Sequence, residues 1–176
     1  EQLKAFDVNQ ESEATREPFG DTPFGRGCLA AVRLIERGVR CVEVTLQGWD
    51  THANNHESHA ELLKTLDPAF SSLLRELKKR ETLQDTVVIC GGEFGRTPTI
   101  NPAGGRDHWP HGFSVALAGG GITRGQVYGA SDAFATAPEE NPLSVEDLAT
   151  TVYDRIGIVA DKELMAPGDR PMEIVD

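Results

Sequence analysis

Apolar residues fall into short blocks along the chain, and the spacing inside each block predicts the element it builds. After about twenty mostly polar residues, Leu29, Val32 and Ile35 recur at three-residue steps, which places them on one face of a helix. Thr22 offers a capping hydroxyl, Pro23 suits a first helical position, and Gly38 is a good terminator. Residues 39–46 are rich in β-branched side chains and read as a strand. Leu62, Leu66, Phe70, Leu73 and Leu77 then form an apolar stripe, predicting a helix over about 57–80 whose basic end suits the negative end of its dipole. The run 86–90 reads as a strand buried on both faces, 113–118 as a third strand ending in Gly119-Gly120-Gly121, and 126–128 as a short fourth. Ser144 caps a closing helix that runs through Ile156. This order predicts an α/β domain over 21–176, layered, with a largely parallel sheet and flanking helices. A polar leading arm over 1–20, with room for a short helix, precedes it. No internal repeat is visible.

Composition narrows the class of partner. With 28 acidic against 17 basic residues the formal charge is −11. No basic face is available to displace counterions from a nucleic acid or to hold anionic lipid. No apolar stretch approaches the roughly 20 residues of a membrane-spanning helix. The chain opens on Glu1, which a removed leader or a fragment explains equally well, and no signal peptide is visible. Cys28, Cys41 and Cys90 each sit in an apolar run. They are read as small core residues rather than metal thiolates or a disulfide framework.

The anomaly is the connection 91–112, about twenty residues without helical period, where loops beyond ~12–15 residues generally serve function. It begins where a strand ends, the place at which open α/β sheets bind ligands. Three clusters carry candidate chemistry. Gly48-Trp49-Asp50-Thr51-His52 sets a carboxylate and an imidazole at a strand end, donors suited to zinc, manganese or iron. Asp50 as a turn former beside an exposed His52 accounts for the same residues. In Gly91-Gly92-Glu93-Phe94-Gly95-Arg96-Thr97-Pro98, Glu93 is a candidate metal carboxylate and Arg96 a planar fork for phosphate or sulfate oxygens. A Glu93–Arg96 salt bridge closing the turn is the structural alternative. In Gly105-Arg106-Asp107-His108-Trp109-Pro110-His111, Asp107 is a candidate ligand or an orienting partner for His108. His56 and His59 read as exposed helical residues, since the Glu of a His-Glu-x-x-His motif is missing. No P-loop, dinucleotide fingerprint or Gly-x-Ser-x-Gly elbow is present.

Over about 24–158, those three motifs resemble a bacterial family catalogued as domain of unknown function 1501, grouped with the alkaline phosphatase, sulfatase and cofactor-independent phosphoglycerate mutase superfamily. The resemblance implies metal ligands at Asp50, His52, Glu93 and His108, with Asp107 in reserve. It implies a divalent metal, zinc first, with manganese, iron or calcium as the other candidates, and an exported or periplasmic location. Two departures stand out. Glu93-Phe94 replaces the superfamily's Asp-His pair, and Phe94 cannot bind a metal, so a single or differently built site is what the sequence allows. The spacing from Asp50 to His52 is also shorter than in the superfamily. The nucleophile that the superfamily carries near its amino-terminal strand has no counterpart here, and Thr97 is the nearest hydroxyl, without an assigned role.

The resulting expectation is a metal-dependent hydrolase-like domain acting on small phosphate or sulfate esters, with Arg96 clamping the anion. The alternative is a non-catalytic metal- or ligand-binding module of the same fold.

Overall fold

The computed structural model describes residues 2–175. The chain divides into two compact units, the first comprising the chain up to Leu83 with Thr99–Asp107, the second Gln84–Pro98 with everything from His108 onward.

In the first unit, the leading segment is a series of 3-10 turns (Gln2–Phe6, Val8–Gln10, Glu17–Phe19) around a single-turn helix α1 (Glu13–Arg16). Its composition is polar, yet Ala5, Val8 and Phe19 are buried with Cys28, Leu29 and Val32 of helix α2 (Pro23–Glu36) and Ala69 and Leu77 of helix α3 (Asn55–Lys79). Polar groups join this core only with partners. Arg33, on the buried face of α2, donates to the carbonyls of Lys4 and Ala5 and to the side chains of Gln10 and Glu11. The Ser72 hydroxyl donates to the Pro18 carbonyl at 2.8 Å, fastening α3 to the 3-10 turn before α2.

Helix α2 starts and stops where its sequence signals place it. The Thr22 hydroxyl accepts from the Gly25 amide at 3.0 Å, and Gly38 follows the helix in the left-handed region, φ +77°, where a Cβ would be strained. Thr22→Ala is expected to cost about 1 kcal/mol, read as a fall in melting temperature. Helix α3 begins two residues earlier than the apolar stripe predicts. Its first turn lacks a side-chain cap and is held by tertiary bonds instead: the amides of Asn54 and Asn55 donate to the carbonyls of Ala103 and Gly104. Between α2 and α3, residues 39–46 show the burial alternation of a strand, with Val42, Val44 and Leu46 half-buried and Cys41, Glu43 and Thr45 exposed. The predicted strand is nevertheless absent, because its backbone groups enter no ladder among the described residues. Cys41 is therefore an exposed residue and not a core one.

The second unit holds β1 (Val87–Cys90), β2 (Gly95–Arg96), β3 (His108–Trp109), β4 (Ala116–Gly119), β5 (Ala130–Ser131), β6 (Pro138–Glu140), helix α4 (Val145–Arg155), and the hairpin of β7 (Glu163–Ala166) and β8 (Arg170–Glu173). The ladders β1–β4, β2–β3, β5–β6 and β7–β8 are all antiparallel and two-stranded. The protein is thus a mixed α/β chain with small antiparallel sheets, where the element order predicts a largely parallel one. Helix and strand propensities fix the type of element but carry nothing about which edges meet, and the departure lies there. Residues 126–128 form no strand; the nearby ladder is β5–β6 instead, closed by Asp132. That carboxylate accepts from the Thr136 hydroxyl and from the amides of Thr136, Phe134 and Ala137. These bonds, the Thr136 hydroxyl first, outweigh desolvation and hold it below the usual carboxylate range. Ser144 caps α4 in a reciprocal capping box with Asp147.

Candidate metal centre

In the first unit, two loops that are distant in sequence are tied together by backbone. The Arg106 amide donates to the Thr51 carbonyl at 3.1 Å, and Ala53 and Gly104 form an isolated antiparallel bridge. Asn101 is the clasp. Its side-chain oxygen accepts from the amides of Ala103 and Gly105, while its side-chain nitrogen donates to the His52 carbonyl at 3.0 Å and to the Asp107 carboxylate at 3.3 Å. Gly105 lies so close to the facing loop that a Cβ on it would stand 2.0 Å from the His52 carbonyl carbon and oxygen. Only hydrogen fits there.

The clasp brings three side chains to one point. His52 Nδ1 lies 2.7 Å from an Asp107 carboxylate oxygen, and His52 Nε2 lies 3.0 Å from an Asp50 carboxylate oxygen. The imidazole is thus held between two carboxylates, all three side chains about half exposed. A neutral imidazole has one N–H and satisfies one of these contacts; the imidazolium satisfies both. A cation taken up by Nε2 and Asp50 would leave Nδ1–H donating to Asp107, the arrangement in which a carboxylate fixes the ring and tautomer of a metal-bound histidine. The donor set, one imidazole nitrogen beside carboxylate oxygen, fits zinc, manganese or iron.

Sequence reasoning places Asp107 beside His108 or on the metal; in the structure it bonds His52. The reading of His59 as an exposed helical residue is overturned. It is half-buried, with Nε2 3.1 Å from the Thr51 hydroxyl and its ring edge-on to Trp49 at 5.1 Å between centroids. The usable signal was Asn55 and His59 four apart on one helix face, directly after the Asp-Thr-His run. His56 is exposed, as read.

The remaining expected residues belong to the second unit. There β2 and β3 set Arg96 directly opposite His108 and Gly95 opposite Trp109. The Phe94 ring packs on the His108 ring at 4.4 Å between centroids, and the Arg96 guanidinium stands 5.7 Å from the centre of the Phe94 ring, within cation–π range. Phe94 therefore supports His108 as a packing surface. Glu93 is exposed beyond the end of β1, and among the described residues no Glu93–Arg96 ion pair closes that turn. Trp109 donates its indole N–H to the Thr136 carbonyl at 2.8 Å and meets His111 edge-on.

Among the described residues, no helix is long and apolar enough to cross a membrane. The family model described as protein of unknown function (DUF1501) matches residues 1–176. No curated protein and no solved structure matches the chain.

Proposed function

We propose, for a chain that belongs to the DUF1501 family along its whole length, that Asp50 and His52 hold a divalent cation used on small phosphate or sulfate esters. The observation that carries this reading is the imidazole clamped between two carboxylates, with Nε2 beside Asp50 and Nδ1 beside Asp107. An imidazole nitrogen beside one carboxylate, with the other ring nitrogen held by a second carboxylate, is the arrangement of donors that suits a divalent cation. His108, next in the chain after Asp107, is proposed as a further ligand on the strength of the motif, and Glu93 stands on the resemblance alone. Zinc is the first candidate. Membership of the alkaline phosphatase and sulfatase group belongs to the same proposal and rests on the three motifs.

When bound, the metal supplies Lewis acidity toward an ester oxygen and acidifies a coordinated water or hydroxyl. The chain's own residues do the rest. Asp107 holds the Nδ1 proton and thereby presents Nε2 as a lone pair. Arg96, its side chain lying against Phe94, offers parallel N–H donors to anionic ester oxygens.

The test is calorimetric titration of metal-stripped protein with zinc and manganese, followed by assay against aryl phosphates and aryl sulfates. Wild type is expected to bind one ion and release a proton on binding, so affinity falls as the medium is acidified. Asp50→Ala and His52→Ala are expected to lose binding, and His108→Ala to weaken it. Asp107→Asn should cost about 10–100-fold in affinity. Binding that is absent in wild type, or indifferent to Asp50 and His52, would sink the reading. Metal binding without turnover would select the second reading, a non-catalytic binding module, which the Phe94 ring packed at a tilt against His108 favours.

A further inference from the structure

Between the two exposed residues Asp50 and His52 lies one that is almost wholly buried. Thr51 is 6% exposed and Asn55, one helical turn on, is 4% exposed. The Asn55 side-chain amide donates to the Thr51 hydroxyl oxygen at 2.6 Å. That hydroxyl lies 3.1 Å from His59 Nε2, and the same Asn55 nitrogen lies 3.3 Å from it. With Asn55 as the fixed donor, the consistent arrangement has Thr51 accepting from Asn55 and giving its own proton to His59 Nε2, whose N–H is then on Nδ1. Every buried side-chain nitrogen and oxygen among the described residues has a partner.

Thr51 is also anchored through its backbone, its carbonyl accepting from the Arg106 amide and its amide donating to the Trp49 carbonyl. One residue therefore joins α3, through its hydroxyl, to the loop bearing Asp107, through its carbonyl. Asp50 and His52 are its covalent neighbours. Asp50 and His52 stand exposed on either side of the buried Thr51, so fixing Thr51 inward holds its two neighbours outward.

We propose that Thr51, Asn55 and His59 form a buried brace that pre-sets the Asp50–His52 pair for its cation, with Thr51 and His59 as positioning residues that never touch the ion. The proposal rests on the metal reading above. A ligand pair already held in its bound geometry avoids the ordering cost on binding, and outer partners of metal ligands are typically worth 10–100-fold in affinity.

Cobalt(II) is the probe, because its visible absorption reports the geometry of the bound ion as well as its affinity. Thr51→Val keeps the shape and branching of the side chain and removes the hydroxyl. It is expected to weaken cobalt binding about 10–100-fold and to change the absorption band. Thr51→Ser restores the hydroxyl and is expected to return both affinity and spectrum to wild type. His59→Leu, which leaves Asp50, His52 and Asp107 intact, is expected to act like Thr51→Val and carries the test should the valine variant fail to fold. The melting temperature of each metal-free variant is measured alongside. If the variants melt earlier but bind cobalt as wild type does, with an unchanged spectrum, the brace is merely structural and the proposal falls while the metal site stands. Failure of serine to rescue also overturns it. If wild type itself binds no cobalt, the metal reading and the brace fall together.

Discussion

Gly105→Ala is expected to lose about 10–100-fold in metal affinity while every proposed ligand remains in place. The added methyl would overlap the His52 carbonyl, since even its carbon would lie 2.0 Å from that group. The obstruction is backbone and cannot be relieved by a rotamer. Either the 101–107 loop or the Asp50–His52 segment must shift, and the contact from His52 Nδ1 to Asp107 at 2.7 Å opens. Asn101 would lose its fit at the same time, because its side chain bonds both the Gly105 amide and the His52 carbonyl. Overpacking of this kind costs about 1–3 kcal/mol in stability. Calorimetric zinc titration with a parallel thermal melt checks both parts, and a variant that binds zinc as tightly as wild type would show that the loop contact does not shape the site.

Arg80→Ala is expected to destabilise the first unit by about 3–5 kcal/mol near neutral pH. Arg80 directly follows α3 and is only 17% exposed, and its guanidinium meets Glu11 at 3.0 Å, Glu36 at 2.7 Å and Glu76 at 3.1 Å. Removing it leaves three carboxylates close together, two of them well covered. Burial works against the charge on both sides: it pushes the Arg80 pKa down, but the bonds to Glu11, Glu36 and Glu76 outweigh it and hold the group above its ordinary value. Likewise burial raises the Glu11 carboxyl, and the bonds from Arg80 and Arg33 more than reverse this. A carboxyl held low in the folded state stabilises fully above its unfolded pKa of about 4.5. That stabilisation is lost as pH falls through the lower, folded value. Chemical denaturation at pH 7 and again near pH 3 should therefore show a large gap between wild type and Arg80→Ala that narrows in acid. A gap that stayed constant would mean the arginine acts through packing rather than charge.

What the sequence disclosed depended on the range of the interaction. Thr22, Pro23 and Gly38 delimit α2 by local bonding, and Ser144 with Asp147 does the same for α4, so both helices were legible from adjacent residues. The start of α3 was not, because Asn54 and Asn55 are held by the carbonyls of Ala103 and Gly104, about fifty residues away. Residues 39–46 have the composition and burial alternation of a strand, but pairing is a property of two edges, and β-branching on one says nothing of the other. At the site, the Asp-Thr-His and Asp-His clusters stand out by residue type alone. That Asp107 serves His52 could not be read, since the two are joined by a loop whose path Asn101 and Gly105 decide. Thr51 was hidden for another reason: a hydroxyl between two charged residues draws no notice until its burial is known.

The second unit is thinly packed. Among its described residues Val88 is the one buried apolar side chain, while Phe134, Met165, Ile156 and Val127 lie largely in water. Each hairpin there is a pair of strands with little beneath it, and two-stranded ribbons are marginal by themselves. Amide protons in this half should therefore trade with solvent far sooner than those of α2 and α3. Since Arg96 and His108 sit in this looser half, how rigidly they are presented depends on far less cohesion than secures Asp50 and His52.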